Sequence, residues 1–395
     1  MTAPIRILFV FGWLVVGGEE TELRLLARRL DRSRYRLEVV ACFRKDGMPE
    51  QTHRQLAELA VPVDTTPYRL SFDDTVSYLA ERMAGADIVV ACQAVPDVLP
   101  ALKRMAPERR PLLVEHGGLV CEALAGPKHL TARYVGVCRS ICEAARSRMA
   151  DRPDHVLEIP SMVDLAEFDP AARPDIRRSW EADDRTVLVG WIGRLDRKKR
   201  VEDVIRAAAL LRARQAPVRF VIVGGADALM PEYEAELHAL ARSLGLDDMV
   251  FTGDRADVPR LLAGLDMLVW CARGEGMPHV IAEAGAAGLA VVCTRDNGTG
   301  QQIRDRETGI FVPHEDPAAL ADAVEELARD PELRVRLGDA LRRHVERSYA
   351  ADRVLPAWID LFETLARERR STATDRTGRW PSLTPGRPPR SGTPS

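Results

Sequence analysis

Two doubly wound α/β domains, arranged in series and facing each other across an interdomain cleft, are the fold class this sequence predicts. Three observations carry the expectation. Short apolar runs alternate with helix-like segments along most of the chain, from "IRILFVF" and "ETELRLLARRL" to "LAVVCTRDN". Apolar strands with helical crossovers make a parallel sheet covered on both faces. The rhythm lapses near Pro160 to Pro174, where Pro and Asp accumulate, and resumes at "TVLVGWIGRL", which marks a link between two units. At 395 residues and 46% hydrophobic content, the chain is long enough for two cores of roughly 150 residues each.

The first unit, residues 1–168, is expected to take its strands from "IRILFVF", "YRLEVVACF", "ADIVVACQ", "RPLLVEHGG" and "RYVGVC". The second, 169–347, takes them from "TVLVGWIGRL", "VRFVIVGGAD", "DMVFTGD", "LDMLVWCARGEG" and "LAVVCTRDN". Asp316 to Arg347 reads as helical, and 348–369 as a closing helix broken at Pro356, since proline lacks the helical N–H. From 370 to 395 the chain is rich in Pro, Gly, Ser and Thr, with Trp380 and Leu383 almost the only apolar residues. Such a stretch buries too little surface to fold and is expected to be a disordered tail.

Composition excludes several classes. A net charge of −3 with charges of both signs gives no general pull toward nucleic acid. Seven cysteines, an odd number without a CxxC pair, read as reduced thiols of a cytoplasmic protein. Arg6 and "ILFVFGWLVV" imitate a signal peptide, but "GGEETEL" stands where a cleavage site would, and the run is short of the ~18 residues that span a bilayer. Arg24, Arg28 and Arg29 on the first helix could make a weak peripheral contact with anionic lipid, although a solvated helix face is the plainer reading.

Four groups of residues could carry chemistry. In "GEGMPHVIAEAGAAGLAVV", Glu275 lies on a loop after a strand and Glu283 about two turns into the following helix. Gly274, Gly276 and Pro278 shape that start, and free N–H groups of Met277, His279 and Val280 would favour an anion. Carboxylates accept hydrogen bonds from hydroxyls, so the pair could grip a sugar and a ribose with phosphates between. In "GWIGRLDRKKR", Arg194 and Lys199 follow a buried strand and could hold a diphosphate. Gly17 and Gly18 end the first strand and let a backbone approach a ligand closely, without the GxGxxG spacing of a dinucleotide fingerprint. His116 closes an apolar strand before two glycines and is a candidate for orienting hydroxyls or phosphate.

With these residues in this order, the sequence resembles family 4 of the retaining glycosyltransferases, which have the GT-B architecture of two Rossmann-like domains. The resemblance covers roughly residues 5 to 365. "GEGMPHVIAEAGAAGLAVV" is similar to the family's E(x)7E segment, "WIGRLDRKKR" to its Gly-Arg-Leu loop with a Lys five residues after the Arg, and "GGEETELRLLARRL" to its first glycine loop.

The resemblance implies a nucleotide-sugar donor, commonly a UDP-sugar, and an acceptor that the sequence does not identify. It implies that Glu275 contacts the donor sugar and Glu283 the ribose. Arg194 and Lys199 would neutralise the leaving diphosphate, helped by backbone near Gly18 and from Gly276 through Met277, Pro278 and His279. His116 would lie near the reacting sugar. No metal or other cofactor is implied, and the closing helix would return to the first domain. The acceptor pocket is expected between loops 69–75 and 117–129. Six residues at four places depart from the family pattern: Cys92-Gln93, Ser161-Met162, Arg200 and Gln301. They leave one alternative, a non-catalytic homologue acting as a partner subunit.

Overall fold

Runs rich in Val, Ile and Leu become the inner strands of two parallel sheets, because strands covered on both faces need no polar alternation. The computed structural model describes residues 3–183 and 185–377. Its first sheet holds β1 (Ile5–Trp13), β2 (Tyr35–Phe43), β3 (Val63–Asp64), β4 (Ile88–Cys92), β5 (Leu112–Gly117), β6 (Thr131–Gly136) and β7 (Val156–Glu158). The second holds β8 (Val187–Ile192), β9 (Val218–Val223), β10 (Val250–Phe251), β11 (Met267–Trp270), β12 (Ala290–Thr294) and β13 (Ile310–Val312). Strand orders are β3-β2-β1-β4-β5-β6-β7 and β10-β9-β8-β11-β12-β13, with parallel pairing throughout.

Each order reverses once, between β1 and β4 and between β8 and β11. At such a point the crossovers leave in opposite directions and open a crevice at the carboxyl ends of the strands. Both crevices look onto one cleft of about 690 Å3, lined from Trp13, Gln93 and His116 on one side and from Gly193, Trp270 and Glu275 on the other.

The chain crosses between the domains twice, side by side. Val163 donates its N–H to the Tyr349 carbonyl at 2.8 Å, and Ala351 donates to the Val163 carbonyl at 2.8 Å. After the second crossing the helix Ala351–Thr377 lays Trp358, Phe362 and Leu365 into the core of the first sheet, among Phe9, Phe11 and Ile88. Pro356 lies inside this helix and does not break it. The proline forfeits one backbone bond near the start, and the apolar face beyond it holds the turn in place. The helix also continues through 370–377, the opening of the segment expected to lack structure. Trp380, Leu383 and the rest of that segment lie outside the described residues.

Candidate functional site

β8 ends at Ile192, and the turn that opens with Gly193 presents Arg194 and Lys199 to the cleft. Arg194 reaches Asp227 at 3.0 Å and Asp196 at 3.8 Å. Lys199 pairs with Glu275 at 2.5 Å and stands 5.0 Å from the centre of the Trp270 ring. Trp270, at the end of β11, stacks on Trp191 of β8 with ring centres 5.7 Å apart. These two rings level the floor on which the cation sits, an arrangement worth about 0.5–2 kcal/mol. Arg200 adopts a left-handed φ of 56°, a conformation glycine reaches freely. Its guanidinium is anchored to Asp203 at 2.9 Å.

The loop after β11 is fixed by its own backbone. Glu275 donates its N–H to Asp296 at 2.8 Å and accepts from the Asn297 amide at 3.0 Å, while Gly298 donates to the Gly276 carbonyl at 2.6 Å. A Cβ on Gly276 would lie 2.1 Å from the Gly118 carbonyl oxygen, so this glycine lets the two domains touch. Pro278 sits at the N-cap, one residue earlier than the first-turn place expected of it, and the helix runs His279–Ala286 with Met277 buried behind it. Glu283 faces the cleft one turn on. Removal from water pushes its carboxyl up to about 7, with the Arg24 guanidinium opposing the rise.

On the first-domain side Gly17 caps the helix Gly18–Arg29, and a Cβ on Gly18 would meet the His279 ring at 3.0 Å. His116, at the end of β5, is 5% exposed. Its Nδ1 lies 3.6 Å from Glu19 and 3.9 Å from the Cys92 thiol, and its ring stands edge-on to Trp358. Burial lowers its pKa to about 4, so the imidazole is neutral near pH 7. Glu19, Cys92 and His116 form the one grouping among the described residues with the spacing of metal ligands. Burial likewise lowers His279 to about 4, aided by Arg24.

Several residues that sequence reasoning missed tie this site together. Glu22 accepts from Trp358 Nε1 at 2.8 Å and from the Met162 N–H at 3.1 Å, and lies 3.9 Å from His279. One buried carboxylate thus joins the first helix, both crossings and the helix His279–Ala286. Gln301 accepts from the Arg139 N–H at 2.7 Å and donates to Glu158 at 2.6 Å. Ser161 donates to the Met277 carbonyl at 3.3 Å. These departures from the family pattern hold the domain junction.

One expectation is corrected, and the residues of another have partners within the fold. Of the loops expected to shape the acceptor pocket, Gly118, Leu119 and Glu122 line the cleft, but none of 69–75 does; Met48, Gln51 and Gln55 stand there instead. The arginines considered for lipid contact are engaged within the fold. Arg24 and Arg28 bind Glu167 at 2.6 and 2.5 Å, and Arg29 binds Asp164 at 3.0 Å, so their charge is spent on the link between domains. No helix among the described residues is long and apolar enough to cross a membrane.

Comparison with known proteins agrees with this geometry. Residues 172–344 match the family model for glycosyl transferases group 1. The chain is 31% identical over 272 residues to a D-inositol 3-phosphate glycosyltransferase of Salinispora tropica, covering 62% of this chain and 56% of that one. It is 30% identical over 278 residues to a GDP-mannose-dependent alpha-(1-6)-phosphatidylinositol monomannoside mannosyltransferase of Mycobacterium tuberculosis, covering 66% and 71%. The chain thus spans little more than half the length of the first of these relatives. Among solved structures, Anabaena HepE in complex with UDP-glucose superposes with a TM-score of 0.76 at 19% identity, over 94% of this chain and 100% of that one. Sucrose-phosphate synthase from Thermosynechococcus elongatus gives 0.72 at 18%, over 91% and 99%. With two doubly wound domains, a shared cleft and these relatives, the chain belongs to the group 1 glycosyl transferases of GT-B architecture.

Proposed function

We propose that this protein is a retaining glycosyltransferase that moves a sugar from a UDP-sugar to a hydroxyl acceptor. The observation that carries the reading is the convergence of Arg194, Lys199, Glu275 and Glu283, from two strand ends and one helix, on a single cleft. Anabaena HepE, with UDP-glucose bound, supports the donor by likeness of fold, and the mycobacterial relative, named for GDP-mannose, makes GDP the alternative nucleotide to test.

In this reading the acceptor oxygen attacks the anomeric carbon on the face the diphosphate leaves. The carbon–oxygen bond to the diphosphate breaks, and the acceptor proton passes to the departing phosphate oxygen. Arg194 and Lys199 stabilise the charge that develops there, the kind of fixed electrostatic help that contributes most in a dry cleft. Glu275 accepts hydrogen bonds from the donor sugar and, in the absence of ligand, holds Lys199 in place. Glu283 accepts from the ribose. Neutral His116 orients a sugar hydroxyl, and backbone around Gly17, Gly18, Gly276, Met277, Pro278 and His279 borders the phosphates. We assign no metal ion or other cofactor to the reaction, since the two cations supply positive charge where the diphosphate would lie.

We place the protein in the cytoplasm, in keeping with seven cysteines that form no disulfide. Peripheral lipid contact through Arg24, Arg28 and Arg29 is not part of the reading, because each already pairs with Glu167 or Asp164. The non-catalytic alternative is not favoured, as the donor-side set is complete. Titration calorimetry with UDP and GDP tests the proposal: UDP binding that weakens at least tenfold in Glu283→Ala supports it. Absence of binding by either nucleotide, or UDP binding indifferent to Glu283, rejects it.

A further inference from the structure

The first-domain wall of the cleft carries an unusual concentration of buried carboxylates. Glu19 and Glu20 open the first helix, and Glu122 comes from the short helix Val120–Leu124 after β5. Glu20 accepts from the Val15 N–H at 3.1 Å, and one oxygen of Glu122 accepts from Gly118 and Leu119 at 2.9 and 3.0 Å. Glu19 differs. It is 7% exposed and neither of its oxygens completes a hydrogen bond, although Gln93 lies near enough to ease its burial. A buried carboxyl without a partner is costly, and native structures keep such groups where a ligand completes them.

Glu19 and Glu122 both face Gly118. A Cβ built there would lie 4.0 Å from Glu19 Oε1 and 3.9 Å from Glu122 Oε2, so the bare glycine looks onto both carboxylates. Among the described residues, no lysine or arginine forms an ion pair with Glu19 or Glu122. His116 is neutral, and Lys128 is bound to Glu115 at 2.5 Å. Lys198 eases Glu122 from the opposite wall. Burial raises all three carboxyls, and Glu122 and Glu20 drive Glu19 well above the ordinary carboxylate range; a phosphate entering here would oppose their ionisation further, whereas an ammonium would find hydrogen-bond acceptors and would favour the ionised form.

We propose that the acceptor is an amine-bearing polyol, an amino sugar or aminocyclitol, whose ammonium seats between Glu19 and Glu122 while one of its hydroxyls faces the donor. This rests on the transferase reading, and deepens it by naming the acceptor class. The ammonium has no lone pair to attack with, so a neighbouring hydroxyl is the nucleophile and the amine serves for recognition.

Titration calorimetry of the full chain, with and without UDP, tests it with three probes of one ring: amino-inositol, myo-inositol and inositol 1-phosphate. The amine is expected to bind at least tenfold tighter than the neutral ring at pH 7, and the phosphate more weakly than either. In Glu19→Gln, and separately in Glu122→Gln, the preference for the amine should shrink several-fold, while UDP affinity stays within twofold and shows that each variant is folded. Equal affinity for amine and neutral ring, a preference for the phosphate, no binding of the amine, or a preference unchanged in both variants overturns the proposal. Failure of UDP to bind would sink the transferase reading instead, and the titrations without nucleotide would still report the amine preference.

Discussion

Lys199 and Glu275 hold each other at 2.5 Å on a platform of Trp270, and in the proposed reaction the pair opens when a diphosphate competes for the lysine. Lys199→Ala and Arg194→Ala should each lower kcat by about 10²–10³ with a smaller rise in donor KM, the pattern of charge stabilised in the transition state. Steady-state kinetics decides between this and a purely structural role, which would move neither in that proportion. Glu22 makes a second, independent prediction. Burial raises its carboxyl to about 7 from an ordinary 4.5, so the folded protein holds a proton there that the unfolded chain releases. The stability this proton gives is whole below about pH 4.5 and is lost as pH rises through 7. His116 and His279, both lowered to about 4, work the other way, with stability present above 6.5 and lost toward 4. Denaturant unfolding of Glu22→Gln beside the parent protein separates them: the parent should lose up to about 3 kcal/mol relative to the variant between pH 5 and pH 8. A constant difference would refute the assignment. Sequence reading singled out Arg194, Lys199 and Glu275 after strand ends and Glu283 on the helix that follows, and all four line the cleft. Glu19, Glu22 and Glu122 escaped it, since acids in a first helical turn have a sufficient local explanation in the helix dipole and nothing local shows what the helix start faces.

Segments that carry the site succeed by close approach. At Gly276 any side chain would strike the Gly118 carbonyl across the cleft, so Gly276→Ala should hold the domains apart and weaken UDP binding at least tenfold while leaving the unfolding midpoint nearly unchanged. Calorimetry and a melt on the same sample check both halves. The closing helix supplies the contrasting case. Trp358 is fully buried and bonded to Glu22, and Trp358→Ala should cost about 3–5 kcal/mol in denaturant titration, from cavity and lost bond together; a loss under 1 kcal/mol would show that the first-domain core does not depend on this helix. At this scale the long runs of β1, β2, β4, β5 and β8 were plain from their apolar residues. The two-residue strand β3 was not plain as a strand, because so short a pairing is decided by the neighbouring strand, whereas β10 was anticipated from "DMVFTGD". Pro356 misled for a related reason: the local rule that proline ends helices is overridden by the packing of Trp358, Phe362 and Leu365 a turn or two beyond it.

Across the molecule, the two sheets meet at their switch points with a cleft of about 690 Å3 between them, and only two adjacent strands of backbone join the halves. Domains linked in this way move by default. Saturating UDP should therefore reduce the radius of gyration measured by small-angle scattering, and superimposable profiles with and without UDP would exclude closure. The alternation of strand and helix made two domains legible from the sequence, and the glycine-rich loops indicated where a ligand would lie. The path of the chain was harder to read, since nothing in residues 160–174 says that Val163 will lie against Ala350, almost two hundred positions later. That adjacency turns the second domain into an insertion within the first, with its entry and exit within hydrogen-bonding distance. A domain so framed is a cassette. Excised between those two points, it could be exchanged for the corresponding unit of a relative, changing the nucleotide half of the specificity while the acceptor half stays behind.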